Sequence, residues 1–454
     1  MRIDHLPSKV AMVSLGCPKN QVDAEIMLAS LAAAGLEITA RADEAAAIII
    51  NTCGFIEDAK RESIENILDI AEYKKYGRLK VLVVTGCLAE RYRDEITREI
   101  PEVDVVVGLG SNGKIAEIVS RALTSKAENT YGDKSLLPLS GGRMLSTPKY
   151  WAYLKIAEGC DNCCTYCAIP SIRGRFRSRT IEDVLSEAEE LVKNGVKELV
   201  LVAQDTTRYG EDLYGRQMLP ELIERICSLS GLQWLRLLYC YPDRITDGLL
   251  SAMRRQPKVL PYLDLPLQHC SGRILHAMNR RGDRKWLTGV IKKIRDALPE
   301  VTLRTTLITG FPGETEEDFT ELCEFVQEIR FDRLGCFAYS AEEGTPAAEF
   351  PGQVDEKIRV SRMETIMDMQ AGIAEELSRT KIGQEEIVLV EGYDASVKRY
   401  FGRTRADAPE IDCKVFFTCN KPVQEGRFVR VLIKDILEYD LIGKAYITTE
   451  GGSR

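Results

Sequence analysis

Histidine is nearly missing from this chain: 454 residues contain three, His5, His269 and His276. Histidine-rich zinc chemistry is therefore excluded. A basic surplus is missing too, because 61 Lys and Arg face 69 Asp and Glu for a formal net charge of −8. Such a balance provides no general surface for nucleic acid, although a local patch can still grip RNA. No run approaches the ~20 apolar residues that a membrane span requires. The start, Met1-Arg2-Ile3-Asp4-His5, carries charge and does not read as a signal peptide. These absences point to a cytoplasmic protein with no membrane partner.

Cysteine, by contrast, is plentiful, with fourteen residues. In a long chain of this composition that argues for reduced thiols and metal rather than a disulfide framework. The densest stretch is Cys160-Asp161-Asn162-Cys163-Cys164-Thr165-Tyr166-Cys167, preceded by Gly159 and by the apolar, strand-like run Tyr153 to Ala157. Cys160, Cys164 and Cys167 are spaced C-x3-C-x2-C, so one loop brings three thiolates to one metal centre. A cubane 4Fe–4S cluster normally takes four cysteines, and three leave one iron open to a small molecule. A closed zinc site would want four ligands in paired knuckles, and Cys163 could supply a C-x2-C pair only by discarding Cys164.

A second trio is spread over the first 120 residues. The apolar runs Val10 to Leu15, Ala46 to Ile50 and Lys80 to Val84 lead to Cys17, Cys53 and Cys87. Segments around 20–34, 56–76 and 88–100 have the spacing of amphipathic helices. Alternating strands and helices predict a parallel sheet covered on both faces, whose ligand sites lie beyond the carboxyl ends of the strands. All three cysteines fall at such ends. A fourth run, Val103 to Val107, ends in Gly108 without a cysteine, so three thiols and one vacancy recur.

Residues 1–123 thus read as an amino-terminal α/β domain, and 124–149, rich in glycine and proline, as a linker. Residues 150–379 contain six strand-like runs, 153–158, 198–204, 234–241, 262–267, 302–309 and 333–339. Helical segments follow them at 180–194, 219–229, 246–255, 271–298, 314–330 and 355–379. Six β/α units are too few for a closed eight-stranded barrel and predict an open, partial (β/α)6 barrel. Residues 380–454 shift to five short β-prone runs and predict a small, OB-like β-barrel. Within 381–454 twelve basic residues balance twelve acidic ones, whereas a tRNA-gripping module should be clearly basic.

Gln204, Gln268 and Arg304, near strand ends of the partial barrel, are candidates for holding a small-molecule cofactor or, alternatively, polar lining of the core. Arg173, Arg175, Arg177 and Arg179 form an alternating basic stripe, either a solvated edge or a guide for an acidic group. His269 is expected to hydrogen-bond within its loop. Gly310 to Thr315 lacks the lysine and spacing of a phosphate loop and is expected to turn the chain into the next helix. Cys163 is expected to ligate nothing.

The loop of Cys160, Cys164 and Cys167 resembles the signature of radical S-adenosylmethionine enzymes, with Tyr166 as the aromatic residue before the third cysteine. Gly16-Cys17-Pro18-Lys19-Asn20, Asn51-Thr52-Cys53-Gly54-Phe55 and Thr85-Gly86-Cys87 resemble the amino-terminal domain of the methylthiotransferases, a branch of those enzymes. Residues 380–454 resemble their TRAM domain. The resemblance implies two 4Fe–4S clusters and two S-adenosylmethionine molecules per turnover, with Tyr166, Gln204, Gln268 and Arg304 around that cofactor. It also implies a sulfur donor and an electron donor.

Pro18-Lys19, Ala203-Gln204-Asp205-Thr206-Thr207 and Ala408-Pro409-Glu410-Ile411-Asp412 look like the branch that modifies a ribosomal protein. The implied reaction is methylthiolation of the β-carbon of an aspartate in small-subunit ribosomal protein S-twelve; a tRNA adenosine methylthiotransferase is the alternative. Two bland readings, an iron–sulfur electron carrier and a zinc-stabilised RNA-binding protein, use neither vacant position.

Overall fold

The computed structural model describes residues 8–125 and 128–447. Strands β1 (Lys9–Ser14), β2 (Glu37–Ile38), β3 (Ala47–Thr52), β4 (Val81–Gly86) and β5 (Val105–Val106) form a sheet in the order β2-β1-β3-β4-β5. Every pairing in it is parallel. β3 and β4 are buried along their whole length, because helices cover both faces. Met27 and Leu31 of helix Pro18–Ala33, with Ile115 and Val119 of helix Ile115–Thr124, pack on one side. Ile67 and Ala71 of helix Glu57–Ala71, with Leu88 and Ala89, pack on the other.

Register matters more than composition here. Ser14 lies opposite Asn51, and Thr52 opposite Gly86. The carboxyl ends of β1, β3 and β4 are therefore level, on neighbouring strands ~4.8 Å apart, and a cysteine follows each within three residues. Gly86 makes this closeness possible. Its φ is +96°, and a Cβ there would stand 2.4 Å from the Thr52 carbonyl oxygen. Gly86→Ala is expected to cost ~2–5 kcal/mol through backbone strain and overpacking. The lowered midpoint in thermal unfolding of the amino-terminal domain checks it.

The chain then enters β6 (Trp151–Lys155), β7 (Ala157–Glu158), β8 (Arg177–Ser178), β9 (Glu198–Val202), β10 (Trp234–Leu237), β11 (Val259–Asp264), β12 (Thr302–Thr309) and β13 (Arg333–Ala338). β6 and β9–β13 form a six-stranded parallel sheet in sequence order, with helices on its outer face. This is the open six-unit barrel the sequence predicts. β7 and β8 pair antiparallel and bracket the cysteine loop. The expected helix over 271–298 is two helices, Gly272–Ala277 and Arg284–Ala297. Between them Asn279 (φ +56°) and Gly282 (φ +104°) adopt left-handed backbone.

Strands β14 (Glu385–Asp394), β15 (Arg399–Arg403), β16 (Val415–Cys419), β17 (Phe428–Leu437) and β18 (Asp440–Ala445) close into a small barrel around Val388, Val415, Phe417 and Val431. Its loop from Thr404 to Asp412 lies against the concave side of the larger barrel. Tyr153 donates to Glu410 (3.0 Å), Tyr262 to Asp412 (2.6 Å) and Arg333 to Asp407 (2.7 Å). Buried Glu198 bonds both Arg236 (2.9 Å) and Arg403 (2.7 Å). Burial pushes the Glu198 carboxyl up, but the two guanidinium charges prevail and hold it below the usual carboxylate value. The segment before β6 is anchored as well: Arg143 bonds Glu25 of the first helix, Glu187 (2.6 Å) and the Tyr153 carbonyl (2.6 Å).

Candidate active site

The two cysteine-bearing segments meet at the junction of the first two domains, where Arg173 bonds both Asn20 and Glu158. Cys17 is the N-cap of helix Pro18–Ala33 and Cys87 opens helix Cys87–Arg91. Cys53 packs against Gly16, where a Cβ would meet its Sγ at 3.0 Å. The three thiols influence one another electrostatically. Asn20 fixes the loops that carry them. Its amide donates to the carbonyls of Leu15 (2.8 Å) and Thr52 (2.9 Å), and its own carbonyl accepts from Asn51 (2.7 Å).

The second trio sits on the loop between β7 and helix Ile169–Arg173. Asn162 donates to buried Asp205 (2.9 Å), which also accepts from Thr207 (2.6 Å) and Arg244 (3.3 Å). Phe176 donates its backbone N–H to Asp161 (3.1 Å). Cys164 Sγ shares a hydrogen bond with the Tyr241 hydroxyl (2.8 Å), and Arg280 lies 3.9 Å from the same sulfur, over the Tyr241 ring. Cys163 is exposed with φ +50°, and its carbonyl accepts from Asn279 (2.9 Å).

Between the trios lies a wholly buried set of charges. Arg173 donates to Asn20 Oδ1 (2.7 Å), Glu158 (2.8 Å) and Asp23 (3.0 Å). Lys155 pairs with Asp23 and with Glu158 (3.0 Å). The second Glu158 oxygen accepts from Gln204 (2.6 Å) and from the Gly159 backbone (3.0 Å), the residue before Cys160. One Arg–Asp–Lys–Glu quartet thus touches both cysteine-bearing segments.

Burial and neighbouring charges both act on the thiols. Burial raises Cys17, yet the charges of Lys19 and Arg173 prevail and bring it below the usual thiol value. Burial pushes Cys87 up to about 12 and Cys160 up to about 11, and it raises Cys53 and Cys167. Metal ligation of those four therefore releases protons. Among the described residues no three His, Cys, Asp or Glu side chains converge closely enough to hold a single ion. Three thiols and no imidazole per site is, by its chemistry, a donor set that suits an iron–sulfur cluster.

The candidate cofactor contacts part company. Tyr166 packs with Ile274, Met278, Phe311 and Tyr339, and its hydroxyl accepts from Arg280 (3.4 Å). Gln204 Oε1 is buried without a hydrogen-bond partner. Gln268 has φ +73° and its backbone pairs with Thr306 and Ile308. Arg304 lies near the opposite end of its strand, bonded to Asp264 (3.1 Å) and 3.6 Å from Asp412.

The basic stripe does not exist as a surface. Arg173 and Arg179 are 1% and 2% exposed, because they turn inward between β7–β8 and the barrel, while Arg175 faces solvent. His269 does stay within its loop, accepting from the Ser271 backbone (2.9 Å). Gly310 to Thr315 does turn into helix Glu316–Ile329, which Thr315 caps. Tyr241 stands where the sequence places chemistry, in the polar loop Tyr239-Cys240-Tyr241-Pro242 after a strand, whereas Glu158, Asp23, Lys155 and Arg280 carry no signal in the sequence.

Residues 9–108 match the uncharacterized protein family UPF0004, 154–326 the radical SAM superfamily and 382–445 the TRAM domain. A radical S-adenosylmethionine methyltransferase, TsrM from Kitasatospora setae, superposes with a TM-score of 0.56 at 12% identity, covering 85% of this chain and 79% of that one. At that identity the likeness concerns fold alone. Domains, cysteine placement and barrel together define a radical S-adenosylmethionine protein of three domains. The ribosomal protein uS12 methylthiotransferase RimO of Desulforamulus reducens is 50% identical over 442 residues, 97% of this chain and 99% of that protein. Its counterpart in Geobacter sulfurreducens is 51% identical over 96% of this chain and 98% of that protein. The chain belongs to the RimO family of methylthiotransferases.

Proposed function

We propose that this chain transfers a methylthio group to the β-carbon of an aspartate in ribosomal protein uS12. The observation that carries the reading is the placement of two three-thiol sites on either side of one buried ionic quartet. Cys160, Cys164 and Cys167 would hold one 4Fe–4S cluster and Cys17, Cys53 and Cys87 another. When bound, the clusters and S-adenosylmethionine supply radical chemistry at an unactivated carbon and the sulfur to be inserted there.

The protein's own share is orientation and exclusion of water. Asp205 and Asn162 set the shape of the barrel's cysteine loop, and Tyr241 and Arg280 pack against Cys164. Gln204 Oε1, an acceptor left over at the end of β9, offers a place for a donor on the bound cofactor, and Tyr166 and Gln268 would contribute from the loops after β7 and β11. Arg304 contributes through Asp264, which accepts the Tyr239 backbone N–H (3.0 Å) and so fixes the loop after β10. A reductant and a sulfur donor complete the set of partners.

The reading is checked by anaerobic reconstitution followed by reaction with purified uS12. About eight irons and eight sulfides per chain are expected from two cubanes, with one added methylthio group on uS12 by mass analysis. Four irons with unmodified uS12 would overturn it.

A further inference from the structure

Every cation in the quartet has a carboxylate partner, but one buried cation beside it does not. Lys19 stands in the first turn of helix Pro18–Ala33, two residues after Cys17, and is 6% exposed. Its ammonium lies 3.4 Å from the centre of the Tyr239 ring, in the loop after β10. Among the described residues no carboxylate lies within ion-pair distance of it. The groups whose charge it feels are Tyr239, Cys17 and Arg173, and Arg173 is already committed to Asp23 and Glu158.

An aromatic face offsets part of the desolvation of an ammonium, and of the groups around it only the Cys17 thiol offers an opposite charge, so the ammonium has no carboxylate of its own to pair with. The position of this one is specific. It joins the thiol trio of the amino-terminal domain to a strand-end loop of the barrel, where a substrate side chain would have to lie between the two sites.

We propose that Lys19 is the receptor for the carboxylate of the substrate aspartate. The inference rests on the proposed function and adds to it the group that selects the side chain. In aspartate the β-carbon is bonded directly to the carboxyl carbon. Gripping the carboxylate therefore fixes the β-carbon beside the trio of Cys17, Cys53 and Cys87. Lys19 acts here as a substrate-binding residue and removes no proton.

The test uses the reconstituted full chain and two forms of purified uS12, one with the target aspartate and one with asparagine there. Affinity is read by fluorescence anisotropy and modification by mass. The parent enzyme is expected to bind the aspartate form roughly 10- to 100-fold more tightly, the range of a buried charge pair. Lys19→Gln should lose that factor for the aspartate form while the asparagine form binds as before. Lys19→Arg, which keeps the charge, should retain a preference for aspartate.

A cation kept only to offset cluster thiolates would leave the preference intact in Lys19→Gln, and that result overturns the inference. So does a parallel loss of affinity for both forms. Iron per chain, measured on each variant, separates these outcomes from simple loss of a cluster. If the parent enzyme leaves uS12 unmodified, the proposed function fails first and the inference with it.

Discussion

Cys164→Ser is expected to retain about four irons per chain where the parent binds about eight, whereas Cys163→Ser retains all of them. The two neighbours differ in everything except element. Cys164 is buried, its sulfur sharing a hydrogen bond with Tyr241 and lying next to Arg280. Cys163 is exposed, and the part of it that the fold uses is its carbonyl, held by Asn279. Serine keeps the backbone of either residue and removes only the soft ligand. Iron and sulfide analysis of the two variants decides it. Loss of iron in Cys163→Ser, or full iron in Cys164→Ser, would reassign the barrel site.

The second large effect is expected at Arg173. Replacing it with methionine leaves Asp23 and Glu158 to share Lys155 and removes the donor that holds Asn20 Oδ1. Breaking a buried pair by deleting one partner costs ~3–5 kcal/mol. Because Asn20 orders the loops of Cys17 and Cys53, the loss should appear in two places. Chemical denaturation should show an earlier first transition, and iron should fall towards half while the barrel cluster persists. Arg173→Lys, which restores charge without the guanidinium fork, should recover part of both. An unchanged denaturation curve for Arg173→Met would remove the quartet from the account of how the domains are joined.

The layout of the three domains could be read from the chain because parallel strands buried on both faces appear as unbroken apolar runs. Ile48 to Ile50 and Leu82 to Val84 are such runs, and the cysteines that follow them mark the level strand ends. The ionic quartet could not be read that way. Lys155 and Arg173 look like ordinary surface charges in sequence, and their shared partner Asp23 is 132 and 150 residues away. The helix break at 278–283 was hidden for another reason. Asn279 and Gly282 interrupt a pattern that stays apolar at helical spacing on both sides, so periodicity runs straight through them. Only the cysteine loop beside them shows what the break is for, since it presents Asn279 and Arg280 to Cys163 and Cys164.

The loop from Thr404 to Asp412 sets how a target can arrive. Glu410, Asp412, Asp407 and Arg403 are each clasped by a different part of the large barrel, so the small barrel is not a swinging arm on a leash. A macromolecule approaching this enzyme meets two barrels already fastened to each other by these contacts. Whatever adjustment docking requires then falls to the visitor rather than to a change in how the two barrels sit.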